Sequence, residues 1–260
     1  MREIYGANSR LAAGDSAMQD HPLSGGHMAI FSFLDLLAFG FFAACWIGYA
    51  IIVEWTPAGR HSLNARMNPY RDAWMTQMLA RDVRIVDTQI TASLQNGTAF
   101  FASTSIIAAG GALTLLRSTD EIVQVMAALP FGVETTRVQW EAKTMGLAVI
   151  FVYAFFKFAW CYRLFNYVAI MIGATPPPEE ADKPEAKAHT SRTAKLSESA
   201  GRHFNRGQRA FFFALGYLGW FLGPWPLIVT TAAVVVVMWR RQFASDSLRA
   251  VMGEENLKSG

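Results

Sequence analysis

The sequence predicts an all-α fold: an integral membrane bundle of four transmembrane helices with an amphipathic cytoplasmic helix beside it. Three observations carry this prediction. Hydrophobic residues make up 52% of the chain and charged residues only 17%, against roughly 25% charged in an ordinary soluble domain. The apolar residues fall into four long blocks, and blocks of that length indicate membrane spans. The basic residues flank those blocks instead of forming a domain of their own, so the small net charge of +3 gives no reason to expect a nucleic-acid partner.

Residues 1–27 are polar, small and Gly-rich, and predict a disordered tail. They lack the basic segment that precedes the apolar core of a signal peptide. Met28 stands directly before the first block, so it competes as a start with a tail that is really made. The membrane domain is expected over 28–173. Its first span, 30–53, is long enough to cross a core of about 30 Å at 1.5 Å per residue, with Asp35 near one end and Glu54–Trp55 closing the other.

The next connection is hydrophilic but has helical character. Asn68–Pro69 makes a helix start. Met75, Leu79, Val83, Val86 and Ile90 then recur at helical spacing among Arg71, Asp72, Arg81, Arg84 and Asp87. An amphipathic helix is expected over about 69–92, lying on the membrane surface or packed against the bundle ends. The second span, about 97–116, is rich in Ala, Gly, Ser and Thr. Small residues let helices approach closely in lipid, so this span is expected at the centre. Ser118-Thr-Asp-Glu121 matches a capping box, Leu129-Pro-Phe-Gly132 is a turn, and Thr135 or Thr136 begins the next helix.

The third span, 144–172, is apolar apart from Lys157 and Arg163. Residues 174–200 are rich in Pro, Ala and charge, and predict a flexible linker. Residues 201–245 then hold an interfacial basic segment and a fourth span over about 210–239. Gly223-Pro-Trp-Pro226 in its middle predicts a kink, and the two apolar halves are too short to be separate spans. Residues 246–260 form a polar tail.

Four spans put both termini on one side and the long connections, 54–96 and 174–209, on the other. No cation lies within 15 residues before the first span, while the connections are basic. The positive-inside rule therefore places the long connections in the cytoplasm and the termini outside. Arg240–Arg241, at the outer end of the fourth span, oppose this orientation. In this frame Arg163 snorkels to headgroups near the cytoplasmic end of the third span. Lys157 lies deeper and is expected to be held by an acidic or carbonyl partner, with Glu54 the first candidate; Glu54 or Asp87 could pair with either cation.

The inventory offers no catalytic, cofactor or metal motif. Cys45 and Cys161 lie inside apolar blocks with no CxxC or Cys/His spacing. None of the five histidines falls inside an expected span, so a haem between two histidines has no ligands. The richest polar cluster is RHFNRGQR, with His203, Asn205, Arg206 and Arg209. It reads as a basic anchor contacting anionic lipid headgroups at the cytoplasmic face, or more sharply as one wall of an anion site with Arg163 and Asn166.

Three ordered blocks carry a resemblance: SLNARMNPYRDAWMTQMLARDVRIVDTQITASLQNGTAFFASTS; LPFG followed by WEAKTMGLAVIFVYAFFKFAWCYRLFNY; and RHFNRGQRAFFFALGYLGWFLGPWP. Together they resemble domain-of-unknown-function family 599 over roughly residues 29–245. The resemblance implies a bacterial multi-span membrane protein and transfers no activity and no functional residue; the expected location is the inner membrane. The expected role is a non-enzymatic accessory or scaffold component that binds lipid, another membrane protein or a second copy of itself. The alternatives are a small channel or transporter with Lys157 and Arg163 on its path, and a lipid-modifying enzyme using His203.

Overall fold

A backbone in lipid has no water to bond, so long apolar blocks can only satisfy their amides as helices. In the computed structural model, which describes residues 30–128 and 135–253, α1 covers Phe33–Trp55 and is capped by Ser32, whose Oγ accepts the Asp35 amide. A 3-10 turn at Pro57–His61 and the short α2, Leu63–Arg66, lead into α3, Asn68–Leu79. Then come α4 at Ile85–Thr114, α5 at Thr119–Ala128, α6 at Arg137–Gly173, α7 at Pro184–Tyr217, α8 at Pro224–Phe243 and α9 at Asp246–Met252. No strand occurs among the described residues. Four stretches, in α1, α4, α6 and α8–α9, are long and apolar enough to cross a membrane, which marks the chain as a membrane protein.

Side-chain contacts fix the direction of each long helix. Along α1, Asp35 accepts from Trp220 Nε1, Phe42 and Trp46 meet Phe213, and Glu54 binds Arg206 and Arg209. Along α6, Lys143 donates to the Trp220 carbonyl, Phe158 packs on Phe204, and the Met171 carbonyl meets His189 Nε2. Thus α7 runs antiparallel to both. Arg84 at the start of α4 donates to the Thr175 and Pro176 carbonyls, and Phe101 stacks on Phe158, so α4 is antiparallel to α6. Thr230 Oγ1 donates to the Gly216 carbonyl and Arg241 lies over the Phe212 ring, so α8 turns back along α7. With 37 residues, α6 is about 55 Å long and outreaches a hydrocarbon core of about 30 Å. Its far part and the polar first half of α7 extend the bundle beyond the level of Glu54.

The boundaries of the elements differ from the sequence expectation in several places. The single amphipathic helix over 69–92 is divided between α3 and α4. Met75 and Leu79 are buried, but Val83, Val86 and Ile90 are exposed. Arg81 folds back to Asp87, and Arg84 donates to the Met78 carbonyl, which together turn the chain between the two helices. The segment 174–200, expected to be a flexible linker, lies mostly in α7. Pro184 suits a first helical turn. Ala186, Thr190, Thr193, Ala194, Ser197 and Ala200 recur at helical spacing and are buried. Its composition is that of a small-residue packing face, which reads as a linker when only hydropathy is weighed.

The kinked fourth span is instead a hairpin of α7 and α8. Gly223, at φ 127°, makes the reversal in a conformation that other residues rarely adopt. Each arm outlasts its apolar half because α7 begins far back in polar sequence and α8 runs on to Phe243. The central helix is α6, with 44% of its most apolar window buried against 22% for α4. The small residues of α4 are not all packing surfaces: Gly110 and Gly111 face open space.

Ile30, whose carbonyl accepts from Gln139, lies at the Trp220 end. Val251, whose carbonyl accepts from Tyr70, lies at the Glu54 end, inside a stretch expected to be a plain polar tail. The two ends of the described chain are therefore at opposite ends of the bundle, not on one side as four spans would require. The expected disordered tail, Met28 and the turn at 129–132 fall outside the described residues.

Candidate functional site

Where α1 ends, the chain turns sharply at Gly59, which packs against the Val53 carbonyl too closely for any side chain. This turn swings α2 and α3 under the bundle and leaves a cavity of about 640 Å³ between them, α1, α7 and α8. Arg60, Arg71, Arg202, Arg206, Arg209 and Arg241 line it, against the carboxylates of Glu54 and Glu198. Tyr49, Val53, Phe212 and Met238 form its wall toward the apolar bundle.

The six guanidiniums are held differently. Glu54, with a side chain 19% exposed, is gripped by both Arg206 and Arg209. Arg206 reaches it through Nε and Nη2, the fork geometry that suits a carboxylate or a phosphate. Arg202 lies 3.8 Å from Glu198. Arg71 has Asn68 as its hydrogen-bond partner, at 2.7 Å. Its guanidinium lies over Gly201, where a Cβ would come within 3.0 Å of Nη2. Burial holds the pKa of Arg71 below the ordinary arginine value, with Glu198 acting the other way. Arg60, Arg71 and Arg241 have no carboxylate within ion-pair distance among the described residues. The cavity thus presents an excess of positive charge in a partly desolvated place.

Of the residues singled out from sequence, Glu54, Asn205, Arg206 and Arg209 come together here. Asp87 does not: it is fully buried beyond the cavity, where Oδ1 accepts from Trp74 Nε1 and Arg81 Nη1 at 2.7 and 2.6 Å. Lys157 is not held by Glu54, whose oxygens are taken by the two arginines; its Nζ sits 5.0 Å from the centre of the Tyr153 ring. Arg163 is exposed and donates to Tyr167 Oη, while Asn166 accepts from Gln95. Neither of these lines the cavity; Arg60 and Arg71 line it instead. His203 is half-buried against Trp160. A transport path through Lys157 and Arg163 gains nothing from this geometry, since Arg163 points away from the helix contacts.

Arg60, Arg71 and Arg241 were missed because they are far from RHFNRGQR in sequence. Arg71 carried one usable signal, its place on the polar side of a helix next to Asn68.

The fold and the cavity define a class: a polytopic α-helical membrane protein with an arginine-lined site at one end of its bundle. The chain belongs to the family described as protein of unknown function, DUF599, whose model matches residues 37–247. No curated protein and no solved structure matches it.

Proposed function

We propose that the protein is a non-enzymatic accessory or scaffold component of a bacterial inner membrane, with its Glu54 end in the cytoplasm and in contact with the anionic leaflet. One observation carries the orientation and the leaflet contact: the segregation of charge along the bundle. The accessory or scaffold role rests on the missing catalytic and cofactor motifs in the sequence and is tested separately. At the Trp220 end the described cations are Arg117, Arg137 and Lys143. Arg60, Arg71, Arg202, Arg206, Arg209 and Arg241 line the cavity at the Glu54 end, and Arg81 and Arg84 stand at the start of α4 on that same side. Such asymmetry orients helices with the basic side inside. Arg240 and Arg241 now stand with the other cations, since α8 ends at the Glu54 end. On this reading α7 is a fifth crossing, the described N-terminal end faces outward and the C-terminal end faces the cytoplasm.

Reporter cysteines test it in intact cells with a membrane-impermeant thiol reagent. A thiol in the turn at Pro178–Glu180 and another at Ser247 of α9 are both expected to be shielded, and one at Ser118 to react. A shielded 178–180 turn with a reactive position 247 would leave only four crossings. Purification in mild detergent with mass spectrometry then reports whether a stoichiometric membrane-protein partner travels with the chain, as a scaffold requires.

A further inference from the structure

We infer that the cavity beneath α1 is a binding site for the phosphate group of an anionic phospholipid, and that Glu54 is the internal anion that occupies its arginines when the lipid is absent. The inference rests on the orientation proposed above for its cellular setting, but the binding itself does not depend on that orientation.

Position comes first. The site begins where a 23-residue apolar helix ends, which is headgroup level in a bilayer whose core α1 just spans. Shape comes next. The cavity, at about 640 Å³, is far larger than a phosphate ion needs and falls within the usual ligand-pocket range of about 300–1,000 Å³. Its surface is divided in the way a lipid is divided. Tyr49, Val53, Phe212 and Met238 lie on the bundle side, where acyl chains or a glycerol backbone would rest. Arg60, Arg71, Arg202 and Arg206 line the rest of that surface, with Arg209 and Arg241 at the border beside Tyr49 and Phe212.

Charge decides the class of ligand. Six guanidiniums face two carboxylates, so an added anion is attracted even with Glu54 in place. Arg71 is already ordered by Asn68 and by its seat on Gly201, so little side-chain freedom is lost when it binds. Arg241 is steadied over Phe212 at the apolar margin. Forked, fixed guanidiniums favour phosphate oxygens, which they can meet two at a time. The fork of Arg206 on Glu54 is the same kind of contact, made to the chain's own carboxylate, and Arg209 adds a single further donor. A lipid phosphate entering the cavity competes for those two guanidiniums, and Glu54 then turns toward water.

The test uses the full chain in a zwitterionic detergent, titrated with phosphatidylglycerol, phosphatidylcholine or soluble glycerol phosphate. Bound lipid is read by native mass spectrometry and unfolding by thermal melt. Saturable binding of phosphatidylglycerol that raises the Tm is expected, with at least tenfold weaker binding of phosphatidylcholine and of glycerol phosphate. Arg71→Gln and Arg241→Gln should each weaken phosphatidylglycerol binding about tenfold, while Arg163→Gln, a cation of the same end outside the cavity, should leave it unchanged. Two separate variants guard against one that fails to fold. Equal binding of glycerol phosphate would overturn the lipid assignment in favour of a soluble phosphate ester. Equal loss in all three variants, or none in any, would overturn the site and leave diffuse surface attraction. A failed cysteine-labelling pattern with intact binding in detergent would overturn the orientation alone.

Discussion

Asp87 and Glu54 are both carboxylates near the ends of long helices, both stand on the basic side of the bundle, and the protein treats them in opposite ways. Asp87 is sealed: it has no exposure, and an indole and one arginine hold a single oxygen. Met75 and Met78 are fully buried on the same α3 that supplies Trp74. Glu54 is open: two arginines share it beside a cavity of about 640 Å³. A carboxylate locked in a packed interior can only hold structure together. One that rests between guanidiniums at the edge of a pocket can be exchanged for another anion.

The largest effect expected from this contrast is at Asp87. Asp87→Ala removes the acceptor of a half-buried indole N–H and the partner of Arg81. Breaking a buried pair costs about 3–5 kcal/mol. Arg81 is 37% exposed and can rehydrate, so a loss near the lower bound, about 3 kcal/mol, is expected by denaturation in detergent. Phosphatidylglycerol binding by whatever folds should be unaltered. A loss below about 1 kcal/mol would show that the pair is not what fixes the α3–α4 turn.

Glu54→Gln sharpens the contrast from the other side. Its pair lies between the buried case and the exposed one, where ion pairs contribute about 0–1 kcal/mol. A loss of about 1–2 kcal/mol is expected in lipid-free detergent. Removing the internal anion should at the same time tighten phosphatidylglycerol binding several-fold, and the bound lipid should restore the lost stability. Weaker lipid binding in this variant would mean that Glu54 helps to build the site and does not compete for it.

The contrast also shows which parts of the molecule the sequence discloses. The four apolar helices were legible because lipid demands long runs of one composition, and that demand is local. The cluster Arg206–Arg209 was legible for the same reason, as basic residues beside an apolar block. The fifth long helix was not: its first half is buried through Ala, Ser, Thr and Gly against the C-terminal part of α6 and against α3, and such a face looks like a linker by hydropathy. The reversal at Gly223 looked like a kink because the arms were judged by their apolar residues alone. The pairing of charges was legible least of all. It depends on which helix ends meet in space, so Glu54 and Asp87 could be recognised as needing cations while their actual partners, Arg206 with Arg209 and Arg81, could not be chosen from Lys157 and Arg163.

Lys157 provides the smallest and most discriminating test. Its depth in α6 made a carboxylate partner the natural expectation, and Glu54 sits near enough along the bundle to be considered. The ammonium instead lies over the Tyr153 ring at 5.0 Å, a contact of about 0.5–1 kcal/mol at a partly exposed site, and its stem can carry the charge toward headgroups. Lys157→Met keeps most of that apolar stem and loses only the ring contact. The variant should therefore change stability by less than about 1 kcal/mol. Combined with Glu54→Gln, the two effects should add, with an interaction energy below about 0.5 kcal/mol, as for residues that share no contact. A coupling of 1 kcal/mol or more would mean that Glu54 divides itself between Lys157 and the arginines. Glu54 would then be anchored from two sides, and its release to an incoming phosphate would be correspondingly harder.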